Sequence, residues 1–226
     1  MTKTRTIKIL VAAVLAMIIA LSMFACKKDE GPKETHLFAN RYINQRFYYS
    51  QGYPDDWRFT AGNDEYELAE LHTYGNTEGY LCAKFFPVGE DGQPDPDVSF
   101  SVYKYNTNSM MNTLNGITEN LMNPDSTYYI NDVFVEEDMN RDSFVFTTEW
   151  EQEKPNHFQW NTANYKFVRD GEDWTGKFYV STGNATWLFL VCMETKDSKW
   201  DATLKTFQDM MSDFGFEGFE KTDEKK

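Results

Sequence analysis

The spacing of apolar and polar residues changes along the chain, and each change predicts a different secondary structure. Residues 98–102 alternate apolar side chains with serines, which is the period of a strand with one buried face. From Met110 to Leu121 apolar residues recur every three or four positions, which predicts a helix that Pro124 ends. Further strands are predicted over residues 66–73, 79–88, 128–135 and 143–150. Short strands interrupted by a helix are therefore expected in the first two thirds of the chain.

The last third of the chain predicts a three-stranded antiparallel meander. Its strands cover residues 165–168, 174–181 and 186–193. Asp170-Gly171 and Gly183-Asn184 have the residues that tight hairpin turns prefer. Residues 187–193 are apolar at almost every position, as in a central strand that is covered on both faces.

A second amphipathic helix is predicted to cover one face of that central strand. Its apolar stripe consists of Trp200, Leu204, Phe207, Met210 and Phe214. Ser198 is suited to be the N-cap, with Asp201 in the capping-box position and Gly215 at the end. We expect this helix to pack directly on the strand.

Composition supports a mixed fold with substantial β structure. Aromatic residues make up 16% of the chain and lie in short alternating runs, which suits strands better than a helical bundle. Residues 37–219 are long enough for one domain with a full core, and no stretch within them has the composition of an interdomain linker. The prediction is a single α+β domain built as an α/β sandwich.

The first twenty-five residues have the order of a secretion signal. Lys3, Arg5 and Lys8 give a positive start, residues 9–21 are mostly apolar, and a small residue, Ala25, follows. The apolar run has the length of a signal core and is shorter than the ~20 residues that span a bilayer comfortably. Residues 1–25 are therefore predicted to be a cleaved signal peptide, rather than an anchor that stays in the protein.

Residues 23–26, Met-Phe-Ala-Cys, resemble the lipobox of bacterial lipoproteins. The resemblance implies that Cys26 carries a diacylglycerol and an N-terminal acyl chain such as palmitate. Each buried methylene contributes ~0.8 kcal/mol, so several chains hold a protein on a membrane stably. The alternative is an ordinary secretory signal in which Cys26 occurs by chance.

Residues 26–36 are charged and contain Gly31-Pro32, so they predict a flexible tether after the lipidated cysteine. Lys27 to Glu30 also resembles the surface-export signal of some outer-membrane lipoproteins. Residues 220–226 predict a disordered tail. The expected location is the cell envelope, outside the cytoplasm and anchored by lipid. The choice between the outer face of a single membrane and the surface of an outer membrane stays open.

The charge balance excludes one class of partner. After removal of residues 1–25 the chain keeps 19 basic and 36 acidic residues, a net charge of −17. Such acidity repels phosphate groups, so nucleic acid is not expected as a partner, and contact with a membrane must come from the lipid.

The chain lacks the sequence patterns of common catalytic sites. His36, His72 and His157 are scattered, and no H-E-x-x-H, G-x-S-x-G, Walker or C-x-x-C motif occurs. His157 is expected in a loop. A glycosidase needs only two carboxylates from distant positions, so spacing does not exclude it. We nevertheless expect a protein that is not an enzyme and has no cofactor beyond its lipid.

Two acidic stretches offer oxygen ligands of the kind that calcium prefers. One contains Glu90, Asp91, Asp95 and Asp97, and the other covers residues 136–142. Neither has the residue order of a calcium-binding loop, so a solvated acidic surface is the competing interpretation. The metal-site hypothesis is assigned to the first stretch.

An exposed aromatic platform for a sugar or peptide is a third candidate. Phe158 and Trp160 lie in a polar, asparagine-rich context and are the aromatic residues most expected to be exposed. Packing in the core is the alternative for Trp160, as it is the preferred interpretation for Trp187 and Trp200.

Cys82 and Cys192 both lie inside apolar runs. Export would permit a disulfide between them, but buried free thiols are the commoner state in such surroundings.

The order of elements resembles the PsbP and DcrB-like domains. The resemblance rests on Tyr53-Pro54 with Trp57 after an early strand, a mid-chain helix, a terminal meander, and residues 211–216 at the end of the last helix. It covers residues 42–216 and implies an α/β sandwich with an antiparallel sheet between helices. It also implies an exported accessory or binding subunit without catalysis, and it supplies no catalytic residue.

Two functions follow as expectations. The first is a non-catalytic lipoprotein that holds a protein partner at the cell envelope. The second is an extracellular module that binds a glycan or calcium. An exposed aromatic cleft would favour the second, and a broad apolar patch the first.

Overall fold

The computed structural model describes residues 36–45, 47–61, 71–74, 77–89, 91–106, 113–126, 139–184 and 187–216. The strands in these ranges are β1 (Asn40–Asn44), β2 (Tyr49–Tyr53), β3 (Trp57–Ala61), β4 (Leu71–Tyr74), β5 (Thr77–Pro87), β6 (Val98–Asn106), β7 (Met139–Phe146), β8 (Glu151–Glu153), β9 (Trp160–Arg169), β10 (Glu172–Asn184), β11 (Trp187–Lys196) and β12 (Phe214–Phe216). The helices are α1 (Leu114–Met122), a 3₁₀ helix (Asp197–Lys199) and α2 (Trp200–Ser212).

Two antiparallel sheets contain these strands. The large sheet has the order β3-β5-β6-β11-β10-β9-β7, with β4 also paired to β5 and β8 also paired to β9. The small sheet has the order β1-β2-β12. The large sheet lies between α1 on one face and α2 with the small sheet on the other. The expected α/β sandwich is confirmed.

Strand β11 lies at the centre of the sandwich and is buried on both faces. Leu190 and Cys192 belong to the first core, which α1 covers with Ile117. Val191 lies in the second core, where Phe207 of α2 packs. The predictions of a central strand and of a helix packed on it are confirmed, because the alternating side chains of one apolar strand fill both cores.

The predicted meander is confirmed in β9, β10 and β11. Asp170 and Gly171 both have positive φ, 53° and 78°, as a two-residue hairpin turn requires. The second turn differs from the prediction, because β10 continues as a strand through Asn184, which pairs with Trp187.

Strand β6 differs from its predicted pattern. Ser99 and Ser101 are buried, although their face was expected to be exposed. Their side of the strand continues into Tyr103 and Tyr105, which lie in the first core. A strand between two neighbours in a doubly covered sheet has no exposed face, so the serines are buried with it.

The ends of α2 also differ from the prediction. Ser198 is not the N-cap: it lies in the 3₁₀ helix, and α2 begins at Trp200 without a side-chain cap. The helix ends at Ser212, and Phe214 belongs to β12. Pairing of β12 with β2 competes with helix continuation, because it provides the backbone of these residues with sheet hydrogen bonds.

Helix α1 confirms the central part of the mid-chain prediction, with Ile117 and Leu121 buried and an end before Pro124. Strand β7 ends at Phe146, earlier than the predicted residue 150. The predicted strand at 128–135, Met110 and residues 66–70 lie outside the described residues.

Cys82 and Cys192 are free and buried. They lie in different cores on opposite faces of the large sheet, so the sheet itself separates them. The prediction of buried free thiols is confirmed.

Candidate functional site

An open groove of about 710 Å³ lies beside the C-terminal end of α1. Its lining residues come from α1 and the turn after it, and from the end of β7 and the segment that follows. They are Glu119, Met122, Asn123, Pro124, Phe146, Thr147, Thr148, Glu149 and Trp150. A concave surface with an aromatic side chain and several polar groups is the usual form of a binding site.

Hydrogen bonds to β9 hold α1 in place beside this groove. The amide Nδ2 of Asn161 donates to Thr118 Oγ1 at 2.8 Å and to Asn115 Oδ1 at 3.1 Å. Asn161 and Thr118 are both fully buried, so the bond between them joins the helix to the sheet where water does not compete. Thr113 caps the helix by accepting a 3.1 Å hydrogen bond from the Gly116 backbone N–H.

The opposite wall of the groove is fixed to the same strand. Thr147 N–H donates to the Asn164 carbonyl at 2.9 Å, and Thr148 Oγ1 accepts from the Asn164 N–H at 3.0 Å. These bonds continue the contact of β7 with β9 after the strand itself has ended. Both walls of the groove are therefore hydrogen-bonded to β9.

The lining combines half-buried apolar side chains with exposed carboxylates. Met122, Phe146 and Trp150 are half-buried and pack against the first core. Glu119 and Glu149 are exposed, and neither forms an ion pair or side-chain hydrogen bond with another described residue. The residues that line the groove include no lysine, arginine or histidine. The groove is thus an anionic site with an aromatic wall.

The expected exposure of Trp160 in the predicted aromatic platform is wrong, because this side chain is fully buried. Its indole Nε1–H donates to Asn156 Oδ1 at 3.1 Å, and its ring packs edge-on to Phe214 and parallel to Phe216. Phe158 is half-buried against Phe216, at 4.5 Å between ring centroids. Strand β12 covers both residues, and its distance along the chain hides this contact from local sequence patterns.

Two of the predicted calcium ligands, Asp95 and Asp97, are paired with lysines. Lys199 Nζ lies 2.8 Å from Asp95 Oδ2 and 2.9 Å from Asp97 Oδ2, and Lys196 Nζ lies 3.1 Å from Asp97 Oδ1. Hydrogen bonding from Lys199 lowers the pKa of Asp97 below its ordinary value. Calcium would have to displace these lysines.

Asp91, another member of that acidic stretch, is bonded within its own loop. Asp91 Oδ1 accepts a hydrogen bond from the Gln93 backbone N–H within the loop, and Glu90 lies outside the described residues. Within the described part of the chain, no group of three or more His, Cys, Asp or Glu residues could hold a metal ion. Calcium binding here stays a prediction.

Buried thiol and carboxyl groups in the first core have structural partners. The Glu194 carboxylate accepts from the Tyr165 hydroxyl at 2.9 Å and from Arg169 Nη2 at 3.2 Å. Burial, followed by the nearby Glu194 charge, raises the pKa of the Cys192 thiol well above its ordinary value. A thiol held in its neutral form is a poor nucleophile.

The two histidines whose side chains are described, His36 and His157, have separate surroundings. His36 Nδ1 lies 3.2 Å from Asp213 Oδ1, and His157 is exposed in the loop before β9, as expected. His72 lies in β4, where its side chain is outside the described part of the chain.

Sequence patterns did not reveal the groove. Trp150 lies beyond the end of β7, in the segment that forms one wall of the groove, and not within a strand over residues 143–150 as predicted. Glu119 and Glu149 carry no local motif, and thirty positions separate them. Only the packing of α1 on the sheet brings them to one groove.

The arrangement of an antiparallel sheet between helices defines the PsbP-like class of α/β sandwiches. No protein-family model matches the chain, and no curated protein matches it in sequence. No helix in the described ranges has both the length and the apolar character needed to cross a membrane.

The fold is similar to that of a solved PsbP structure. The chain is similar to cyanobacterial PsbP (CyanoP) from Synechocystis sp. PCC 6803, with 17% identity, a TM-score of 0.50, and coverage of 78% of this chain and 91% of that one. A Bacteroides thetaiotaomicron VPI-5482 structure gives 14% identity and a TM-score of 0.46, over 79% of this chain and 48% of that one. LpqN, described as involved in cell envelope biogenesis of Mycobacterium tuberculosis, has 11% identity to this chain and a TM-score of 0.46. The match covers 79% of this chain and 85% of LpqN. The PsbP-like fold is confirmed.

Proposed function

We propose that the protein is a non-catalytic accessory module of the cell envelope that is held on a membrane by lipid on Cys26 and binds a protein partner. The observation that carries the proposal is the anionic groove between α1 and residues 146–150, whose two walls are hydrogen-bonded to the large sheet. The PsbP-like fold adds support, because the resemblance that led to it implies an accessory subunit.

Binding is favoured over catalysis by the surroundings of the two glutamates. A glycosidase general acid works from a desolvated position, whereas Glu119 and Glu149 are both exposed. Neither has a neighbouring described side chain bonded to it that would orient it for proton transfer.

The lipid anchor is tested by labelling cells with an alkyne analogue of palmitate. The native protein is expected to carry the label and to sediment with membranes, and Cys26→Ser is expected to lose both properties. Label retained by Cys26→Ser would refute the anchor at this residue.

Partner binding is tested in intact cells with a photo-crosslinking amino acid at Asn123, beside the groove. The matched control carries it at Glu172, an exposed residue at the start of β10. One recurrent partner, captured from position 123 of the anchored protein and not from position 172, is expected. Equal capture at both positions, or none at position 123, would contradict partner binding at the groove.

A further inference from the structure

We propose that the groove binds a basic side chain, arginine or lysine, of the partner protein. This inference rests on the proposed function and specifies the chemistry of the partner. Three features of the groove favour a cation: its unpaired carboxylates, the end of α1 and the Trp150 ring.

Several acidic groups on the described surface are paired with lysines of the same chain. Asp97, Asp197 and Asp209, for example, each lie within 3.1 Å of a lysine Nζ of the same chain. Glu119 and Glu149 have no such partner among the described residues. A positive side chain from outside would supply the missing counter-charge, and the net charge of the whole chain, −14, would steer basic partners toward it.

The orientation of α1 adds to this potential. Met122 and Asn123, at the C-terminal end of the helix, line the groove. The last carbonyl groups of a helix point away from its end and carry partial negative charge, which cations stabilise. The last turn of α1 contains no basic residue that would fill this role.

Trp150 and its apolar neighbours suit the shape of a long basic side chain. A guanidinium or ammonium group is attracted to the face of an indole ring, and the methylene stem can lie along apolar side chains such as Met122. Arginine fits best, because its planar group can stack on Trp150 and donate to a carboxylate in the same position. A groove open to solvent accommodates the residues on either side of that arginine.

The test uses the full chain in a non-ionic detergent and two peptide probes. One probe is acetyl-Gly-Arg-Gly-Arg-Gly-amide, and the other has citrulline in place of both arginines, which keeps the shape and removes the charge. Binding is measured by calorimetry. The arginine peptide is expected to bind more tightly, and its affinity is expected to fall as salt is raised, because exposed charges are screened.

Glu119→Gln and Glu149→Gln are each expected to lower the affinity for the arginine peptide by up to about fivefold, which is the range of an exposed ion pair. Trp150→Leu should weaken binding of the arginine peptide by about two- to fivefold, because an aliphatic side chain offers no cation–π attraction. The matched control, Glu172→Gln with Asp173→Asn, removes two exposed carboxylates outside the groove and should leave the affinity within about twofold, since distant surface charges are screened.

Equal binding of the arginine and citrulline peptides by the unaltered protein would overturn the inference, and so would equal weakening by the groove and control variants. Tighter binding of chitotriose than of the arginine peptide would also overturn it, in favour of a glycan site. The cellular crosslinking separates the two proposals. A partner captured from position 123 while the arginine peptide fails would leave the proposed function standing and refute only the basic side chain.

Discussion

The buried carboxylate of Asp213 is expected to hold the start of the domain to the end of α2. Its side chain is 5% exposed, and Arg41 Nη2 lies 2.6 Å from its Oδ1 atom. The backbone N–H of Phe38 donates to Oδ2 at 3.2 Å, and His36 Nδ1 lies 3.2 Å from Oδ1. Asp213→Ala would remove every one of these contacts at once.

The expected loss of stability follows from burial. Removing one partner of a buried ion pair costs about 3–5 kcal/mol, because the other charge stays buried without compensation. Arg41 would keep its 2.7 Å bond to Ser50 Oγ and its 3.3 Å bond to the carbonyl oxygen of residue 213, so the lower end of the range applies. A loss of about 3 kcal/mol corresponds to a fall in Tm of about 6–12 °C for a domain of this size.

The assay is urea unfolding of the full chain in detergent, followed by tryptophan fluorescence, together with a thermal scan. Asp209→Ala is the matched control, since Asp209 lies one turn earlier in α2 and pairs with Lys205, whose side chain is 76% exposed. The control should lose less than about 1 kcal/mol. If Asp213→Ala and Asp209→Ala lose the same small amount, Asp213 does not hold the two ends together.

Three further changes test the core and its charges. Trp160→Ala should lower the free energy of unfolding by about 3–5 kcal/mol, as measured in urea, because a fully buried indole is removed. An unchanged free energy of unfolding would indicate that Trp160 lies at the surface. Gly176→Ala should cost about 1–3 kcal/mol or more in the same assay, because its Cβ would lie 2.4 Å from the Tyr165 ring; an unchanged midpoint would contradict this packing. The pKa of Asp97 is lowered, first by its hydrogen bond with Lys199, so the ionised carboxylate stabilises the folded state. This stabilisation is fully present above the unfolded pKa of about 3.9, and it is lost as pH falls through the lowered pKa of the folded protein. The stability difference between the native protein and Asp97→Asn should therefore be constant near neutral pH and shrink below about pH 4; a difference that grows there would refute the sign.

The sequence alone was sufficient where neighbouring residues decide the structure. The apolar run of β11 indicated a strand covered on both faces, because alternating side chains must fill two cores. Asp170-Gly171 indicated the β9–β10 turn, because few residues adopt positive φ easily. The apolar stripe on α2 indicated which face of the helix is buried, because the spacing of residues along one face is fixed by the geometry of the helix itself.

Tertiary structure decided which aromatic residues are buried and where the groove lies. Trp160 has a polar sequence context but is covered by Phe214 and Phe216 of β12, which local periodicity does not relate to it. Glu119 and Trp150 meet at the groove because α1 packs on the sheet beside the end of β7. Burial and proximity between distant segments arise from packing, so a pattern that reports only neighbours along the chain does not contain them.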